Sequence, residues 1–203
     1  MSVLLGSKII EEVSNGKIII EPFNKSFVGP NSIDITLANK LITYEHCEIR
    51  KIDGEYTVVP AKIFGYQEPI IDMAKENTTY ELKIPEEGLV LSPNILYLGS
   101  TNEKAGSDYY VPMYEGRSSM ARLGIQSHVS AGFGDIFFKS NWTLEITVVH
   151  KTKIYPNCRI GQVYFHEVNE LERRDLIKMK KYYQGKYSDQ IGPQKSKSYL
   201  DFQ

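Results

Sequence analysis

Cysteine is scarce in this sequence, with two in 203 residues. Cys47 and Cys158 lie far apart, with no CxxC and no Cys/His cluster around either, so the expectation is a reduced, intracellular chain without a disulfide framework. Long apolar runs are missing as well. Nothing approaches the roughly 18 residues of a membrane span, and the N-terminal MSVLLGSKIIEE is too short and too acidic for a signal peptide, which predicts a cytoplasmic protein with no membrane partner. An excess of one charge is also absent, since 24 Lys+Arg face 25 Asp+Glu for a formal net charge of -1. Duplex binders need a large surplus of phosphate-neutralising Lys and Arg, so no nucleic-acid partner is expected. What remains is ordinary for a soluble domain: 41% hydrophobic and 11% aromatic residues. At this length roughly 70% of the unfolded surface can be buried, so one core needs neither disulfide nor structural metal.

Helical periodicity is sparse. Ser7 can cap a short helix with Ile9, Ile10 and Val13 on one face, and Asn15-Gly16 supplies its stop. The rest reads as strands: KIIIEPF, SIDITLANKLITYE after a GPNS turn, EYTVV, TTYELKI, GLVLS, ILYLGS, YYVPMYE, NWTLEITVVH and RIGQVYFHEV. Pro, Gly and Asn turns separate them at short spacing, a pattern that favours a barrel or sandwich over a parallel α/β sheet. With no repeat, low-complexity tract or linker, residues 1–203 form one expected domain. Its segment 171–203 is a basic, aromatic tail with eight Lys+Arg against four acids, which composition alone reads as a solvated extension.

Chemistry concentrates between Glu115 and Ile146. Ser118 or Ser119 can cap a short helix closed by Gly124, on which Ser118 and Arg122 share a face. The start of that helix, with Arg117 beside it, suits a phosphate, although GRSS taken alone reads more simply as a capped surface turn with a solvated Arg117. In NWTLEITVV, Trp142, Leu144, Ile146 and Val148 alternate with Thr143, Glu145 and Thr147, so Glu145 lies on the face that ordinarily meets water. His128 reads as a packed side chain and Asp135 as a turn residue.

Taken together and in order, PNSIDITL, GRSSMARLG, HVSAGFGD, NWTLEI, PNCRIGQ and YYQGKYSDQIGPQKSKSYLDF resemble the deoxycytidine triphosphate (dCTP) deaminase family. GRSS is shared with trimeric deoxyuridine triphosphatases, but GRSSxAR followed by TLE and a C-terminal GKYxxQ resembles the deaminases, and the RGxxGFGST-like ending of the triphosphatases is absent. The resemblance implies a mainly β fold: a distorted, dUTPase-like (β-clip) barrel with a short N-terminal helix and one short helix at the phosphate site. It also implies a homotrimer with active sites between subunits, and residues 171–203 closing over the nucleotide as a lid. By position, Glu145 resembles the catalytic acid/base, Ser118 the residue that helps hold the attacking water, and Arg122 a catalytic contact. Arg117, Ser118 and Ser119 would follow the triphosphate. Ala131 and Asp135 would line the nucleoside pocket, Thr143 would bind substrate, and Tyr183, or Tyr182 in its place, would close over the nucleotide with Lys186 and Gln190. The chain departs from the family's IDPGF or IDPGW by reading GDIFF, so that Gly134 and Ile136 flank Asp135.

Zinc nucleobase deaminases use HxE and PCxxC; here His166-Glu167 and the isolated Cys158 supply neither. The expectation is zinc-free deamination, with Glu145 moving a proton from water to N3 and then to ammonia, and Mg²⁺ carried by the triphosphate. The leading expectation is conversion of dCTP to dUTP and ammonia. The alternatives are a bifunctional enzyme that proceeds to dUMP and pyrophosphate, in which Asp135, or Asp34 after it, would position a second water, and a nucleotide-binding β-barrel without chemistry.

Overall fold

The computed structural model describes residues 2–61, 69–169, 175–176, 178–188 and 190–203. Among the described residues the helices are α1 (Gly6–Ser14) and α2 (Ser118–Arg122), with 3₁₀ turns at Lys25–Phe27 and Ser198–Phe202 and further helical residues at 175–176 and 178–180. The described residues form thirteen strands, in order: β1 (Ile18–Glu21), β2 (Ile33–Thr36), β3 (Lys40–Thr43), β4 (Cys47–Ile52), β5 (Glu55–Pro60), β6 (Tyr80–Lys83), β7 (Leu89–Leu91), β8 (Tyr97–Ser107), β9 (Tyr110–Gly116), β10 (Ile125–Gln126), β11 (Lys139–Val148), β12 (Thr152–Ile154) and β13 (Arg159–Glu167). The mainly β expectation holds. Among the described residues the strands form three sheets and no closed hydrogen-bonded ring, so the barrel is strongly distorted: β10-β11-β8-β3-β6 with β1 also on β8, β12-β7-β5-β4, and β2-β13-β9.

Alternation explains the core. Ile33, Ile35 and Leu37 are buried, and the largest fully enclosed side chains, Tyr97 of β8, Tyr114 of β9 and Phe165 of β13, belong to the same core cluster. β8 is the spine: β11 runs along it, β1 pairs with Lys104–Ser107, and β3 pairs with Tyr97 and Leu98. The β8–β11 register slips between Asn141 and Thr143, and side chains fill the gap. Trp142 N–H donates to Thr101 Oγ1 at 2.9 Å, while Asn141 Nδ2 donates to the carbonyls of Thr101 and Asn102. Such irregularities re-aim side chains beside functional clefts.

Several expected details differ. Ser7 does not cap α1; Leu5 occupies the N-cap without a side-chain bond, and Gly6 N–H is satisfied by the Pro30 carbonyl at 2.7 Å. α2 likewise begins at Ser118 with Arg117 at its N-cap and no side-chain cap, so neither serine caps it, although Gly124 does close it at φ +75°. The single strand expected over SIDITLANKLITYE breaks into β2 and β3, because Leu37 and Ala38 turn their N–H groups to the carbonyls of Cys158 and Ser100. β4, β10 and β12 were not expected; β4 pairs with β5 across Asp53-Gly54, both at positive φ, a two-residue hairpin turn. No described helix is long and apolar enough to cross a membrane. Cys47 and Cys158 are free thiols.

Candidate active site

Glu145 lies mid-strand in β11, on the face opposite the enclosed Leu144 and Ile146, as its spacing predicts. The face does not open to bulk water. It floors a cleft of about 580 Å³ walled by Thr143, Trp142, the Ala131–Asp135 segment, Phe138, and tail residues including Tyr183, Lys186 and Gln190, a volume suited to a small organic ligand. Burial pushes the Glu145 carboxyl above the ordinary carboxylate range, opposed by the Val129 N–H that it accepts and by nearby His128. A half-enclosed carboxyl of that kind is suited to proton transfer. His128 packs edge-on against Tyr114 at 5.4 Å, with Nε2 3.2 Å from Glu115 Oε2.

Glycine lets the Ala131–Asp135 segment come close. A β-carbon on Gly132 would meet the Tyr114 carbonyl oxygen at 2.5 Å, and one on Gly134 would meet the Trp142 ring at 2.5 Å. Gly134 of the GDIFF departure therefore has a steric reason. Asp135 and Ala131 are exposed residues at the rim of the cleft.

The tail completes the wall. Gln190 is buried; its Nε2 donates to the Asn141 carbonyl, and its own carbonyl accepts Ser140 Oγ at 2.7 Å. Gln194 N–H donates to Thr143 Oγ1 at 3.1 Å. Tyr183 lines the cleft whereas Tyr182 is 71% exposed. Lys186 lines it too, its ammonium paired with Asp201. A tail so bonded is not the solvated extension that composition suggests; residues 171–174, 177 and 189 lie outside the described residues.

Arg117, Ser118 and Ser119 line a different hollow, of about 520 Å³, with Ser32, Asp34, Arg159 and Gln162. Asp34 holds Arg117 Nε at 3.2 Å through one oxygen and Arg159 Nη1 at 3.2 Å through the other, while Arg117 reaches the Arg159 carbonyl. Arg159 and Gln162 were not singled out from sequence, although PNCRIGQ contains both. Arg122 does not meet the Ser118 hydroxyl; its Nη1 donates to the Ser118 carbonyl at 3.1 Å. Within one chain, then, Glu145 and Ser118 face different cavities, although α2 runs on into β10, the strand that pairs with β11. The first cavity can hold a base and exchange protons, and the second offers guanidinium and hydroxyl groups to an anion.

The chain is similar to known proteins over most of its length. A model of the dCTP deaminase-like family matches residues 3–168. A protein of Clostridium beijerinckii named dCTP deaminase, dUMP-forming, is 42% identical over 201 residues, 99% of each chain. Its namesakes from Clostridium acetobutylicum, 42% identical over 200 residues (98% of this chain and 99% of the relative), and from Cytophaga hutchinsonii, 39% identical over 201 (99% of each), are similar over the same extent. The crystal structure of 2'-deoxycytidine 5'-triphosphate deaminase from Agrobacterium tumefaciens shares the fold, with a TM-score of 0.56 at 17% identity. That match covers 87% of this chain and 52% of that one.

Proposed function

This chain belongs to the dCTP deaminase-like family, and from that premise we propose that it deaminates dCTP and carries the product on to dUMP and pyrophosphate. The observation that carries the deaminase reading is Glu145, half-enclosed on the floor of a base-sized cleft with its proton affinity raised by burial. In the proposed reaction its carboxylate takes a proton from water as the oxygen attacks C4, delivers it to N3, and then passes a proton to the departing amine, so that dCTP and water give dUTP and ammonia. Thr143, Ala131 and Asp135 border the nucleoside, and Tyr183, Lys186 and Gln190 close over it, with 171–203 serving as the lid of a single domain. Names of the relatives that specify dUMP formation support the two-step outcome over release of dUTP. In the second step water attacks the α-phosphorus and pyrophosphate leaves, with Asp135 as the carboxylate that orients the water.

The separation of the two cavities supports a homotrimer in which Arg117, Ser118, Ser119 and Arg122 of one subunit complete the site around Glu145 of its neighbour. The anion hollow fits the triphosphate and not a bare cation: its donors are guanidinium and hydroxyl groups, and its Asp34 is already engaged by two arginines. Mg²⁺ would therefore arrive on the triphosphate, held by phosphate oxygens and water, and would neutralise phosphate charge. Incubating the protein with dCTP and Mg²⁺ and separating the products by ion exchange tests the proposal. Ammonia, dUMP and pyrophosphate are expected. Accumulation of dUTP without pyrophosphate overturns the second step, and intact dCTP overturns both.

A further inference from the structure

The wall of the cleft turns sharply at Asp135–Phe138, where Phe138 N–H donates to the Asp135 carbonyl at 3.2 Å. The third residue of this turn, Phe137, has φ +84°. That place in a type II turn ordinarily goes to glycine or asparagine, because a β-carbon crowds the backbone there. A phenylalanine in it needs a compensating role, and core packing is not that role. Phe138, the next residue, packs against the core and lies edge-on to Trp142 at 5.3 Å, whereas Phe137 is not among the residues packed against the core.

The Phe137 ring instead faces the tail. It lies edge-on to Tyr183 with centroids 5.8 Å apart, and Lys180 Nζ stands 5.9 Å from its centre. Lys180 also bonds Asp108 Oδ2 at 2.7 Å, and Asp108 in turn holds Lys139 at 2.9 Å. The turn is pinned beneath by Phe137 N–H donating to the Ser107 carbonyl at 2.8 Å. One four-residue turn thus presents Asp135 and Phe138 to the cleft and the Phe137 ring to Tyr183, which covers that cleft.

We propose that Phe137 is a positioning residue: it accepts an unfavourable backbone conformation so that its ring can dock the Tyr183 and Lys180 segment over the cleft. It touches no reacting atom and acts through Tyr183. The role deepens the reading of the cleft as the dCTP site and rests on it.

The test compares Phe137→Gly and Phe137→Asn, which tolerate the left-handed backbone but lack the ring, with Phe137→Tyr, which keeps the ring. Each full-length variant is measured for melting temperature, for tryptic cleavage at Lys178, Lys180, Lys181 and Lys186 without nucleotide, and for steady-state dCTP turnover. Gly and Asn are expected to melt at or above wild type, to be cut faster in the tail, and to raise KM about five- to tenfold while kcat stays within about twofold, the scale of one lost aromatic pair. Tyr should restore all three readings. Unchanged tail cleavage in Gly and Asn overturns the proposal, as does a fall in melting temperature with KM unaltered. Should wild type leave dCTP intact, the functional reading fails by itself, while cleavage of the nucleotide-free tail still decides whether Phe137 docks it.

Discussion

The side-chain amide of Gln190 donates to the main-chain carbonyl of Asn141, two residues before Thr143 on the strand that carries Glu145. With Ser140 Oγ returning a bond to the Gln190 carbonyl, tail and strand are stitched together beside the cleft. Gln190→Ala removes the first bond in a buried setting, where a hydrogen bond is worth about 1 kcal/mol and an orphaned carbonyl costs more. The expected outcome is a KM for dCTP raised about tenfold with little change in melting temperature, read by steady-state kinetics and thermal unfolding.

Glu145→Gln keeps the shape and removes the proton acceptor. Turnover of dCTP should fall by about 10²–10⁴-fold, the usual weight of a general acid/base, while nucleotide binding survives. Binding by calorimetry alongside ammonia release separates the two. More than about a tenth of wild-type turnover, a barrier change under about 1.4 kcal/mol, would remove Glu145 from the role.

The same substitution has a signature in stability. Because burial raises the Glu145 carboxyl in the folded state, the native chain holds that proton more tightly than the unfolded chain does. Its stabilising contribution is complete below the ordinary carboxylate pKa and is lost as pH rises through the raised value. Urea unfolding should therefore show Glu145→Gln equal to wild type at about pH 4 and more stable than it at about pH 8. Equal stability at both would mean that the carboxyl is not perturbed.

A shared site predicts rescue by mixing. Glu145→Gln and Arg122→Ala trimers should each be nearly inactive, yet unfolding and refolding them together should restore activity, because each mixed trimer regains about one intact interface in three. No recovery, with mixed trimers verified by mass spectrometry, would mean that each site lies within one chain.

The two reactions should also separate. Asp135→Asn is expected to keep deamination and accumulate dUTP, whereas Glu145→Gln should still hydrolyse supplied dUTP; both are read by ion exchange. If Asp34→Asn and not Asp135→Asn stops pyrophosphate release, the second water belongs to the anion hollow.

The strand face of Glu145 is legible from the alternation in NWTLEITVV, and that Glu145 is covered is not. Alternation reports one strand, while the cover comes from Ala131–Asp135 and from a tail about 40 residues away in sequence. Helical spacing puts Ser118 and Arg122 on one face but cannot say that the guanidinium settles on a carbonyl. Nor does their order in sequence reveal that GRSS and TLE open onto different cavities. GDIFF departs from IDPGF at Gly134 and Ile136 and also at Phe137, which stands where that motif has glycine and keeps a positive φ.

β8 draws its partners from segments beginning at Ile18, Lys40 and Lys139. None is its neighbour in sequence, so the central strand has no local hairpin from which to grow, and large loops must close before its ladders gain anything. Chains dominated by such distant pairings fold on the order of milliseconds to seconds. Refolding of this chain is therefore expected to be slowed by the search for the partners of β8, and the proton-transfer cleft, whose floor is β11, to assemble late in it.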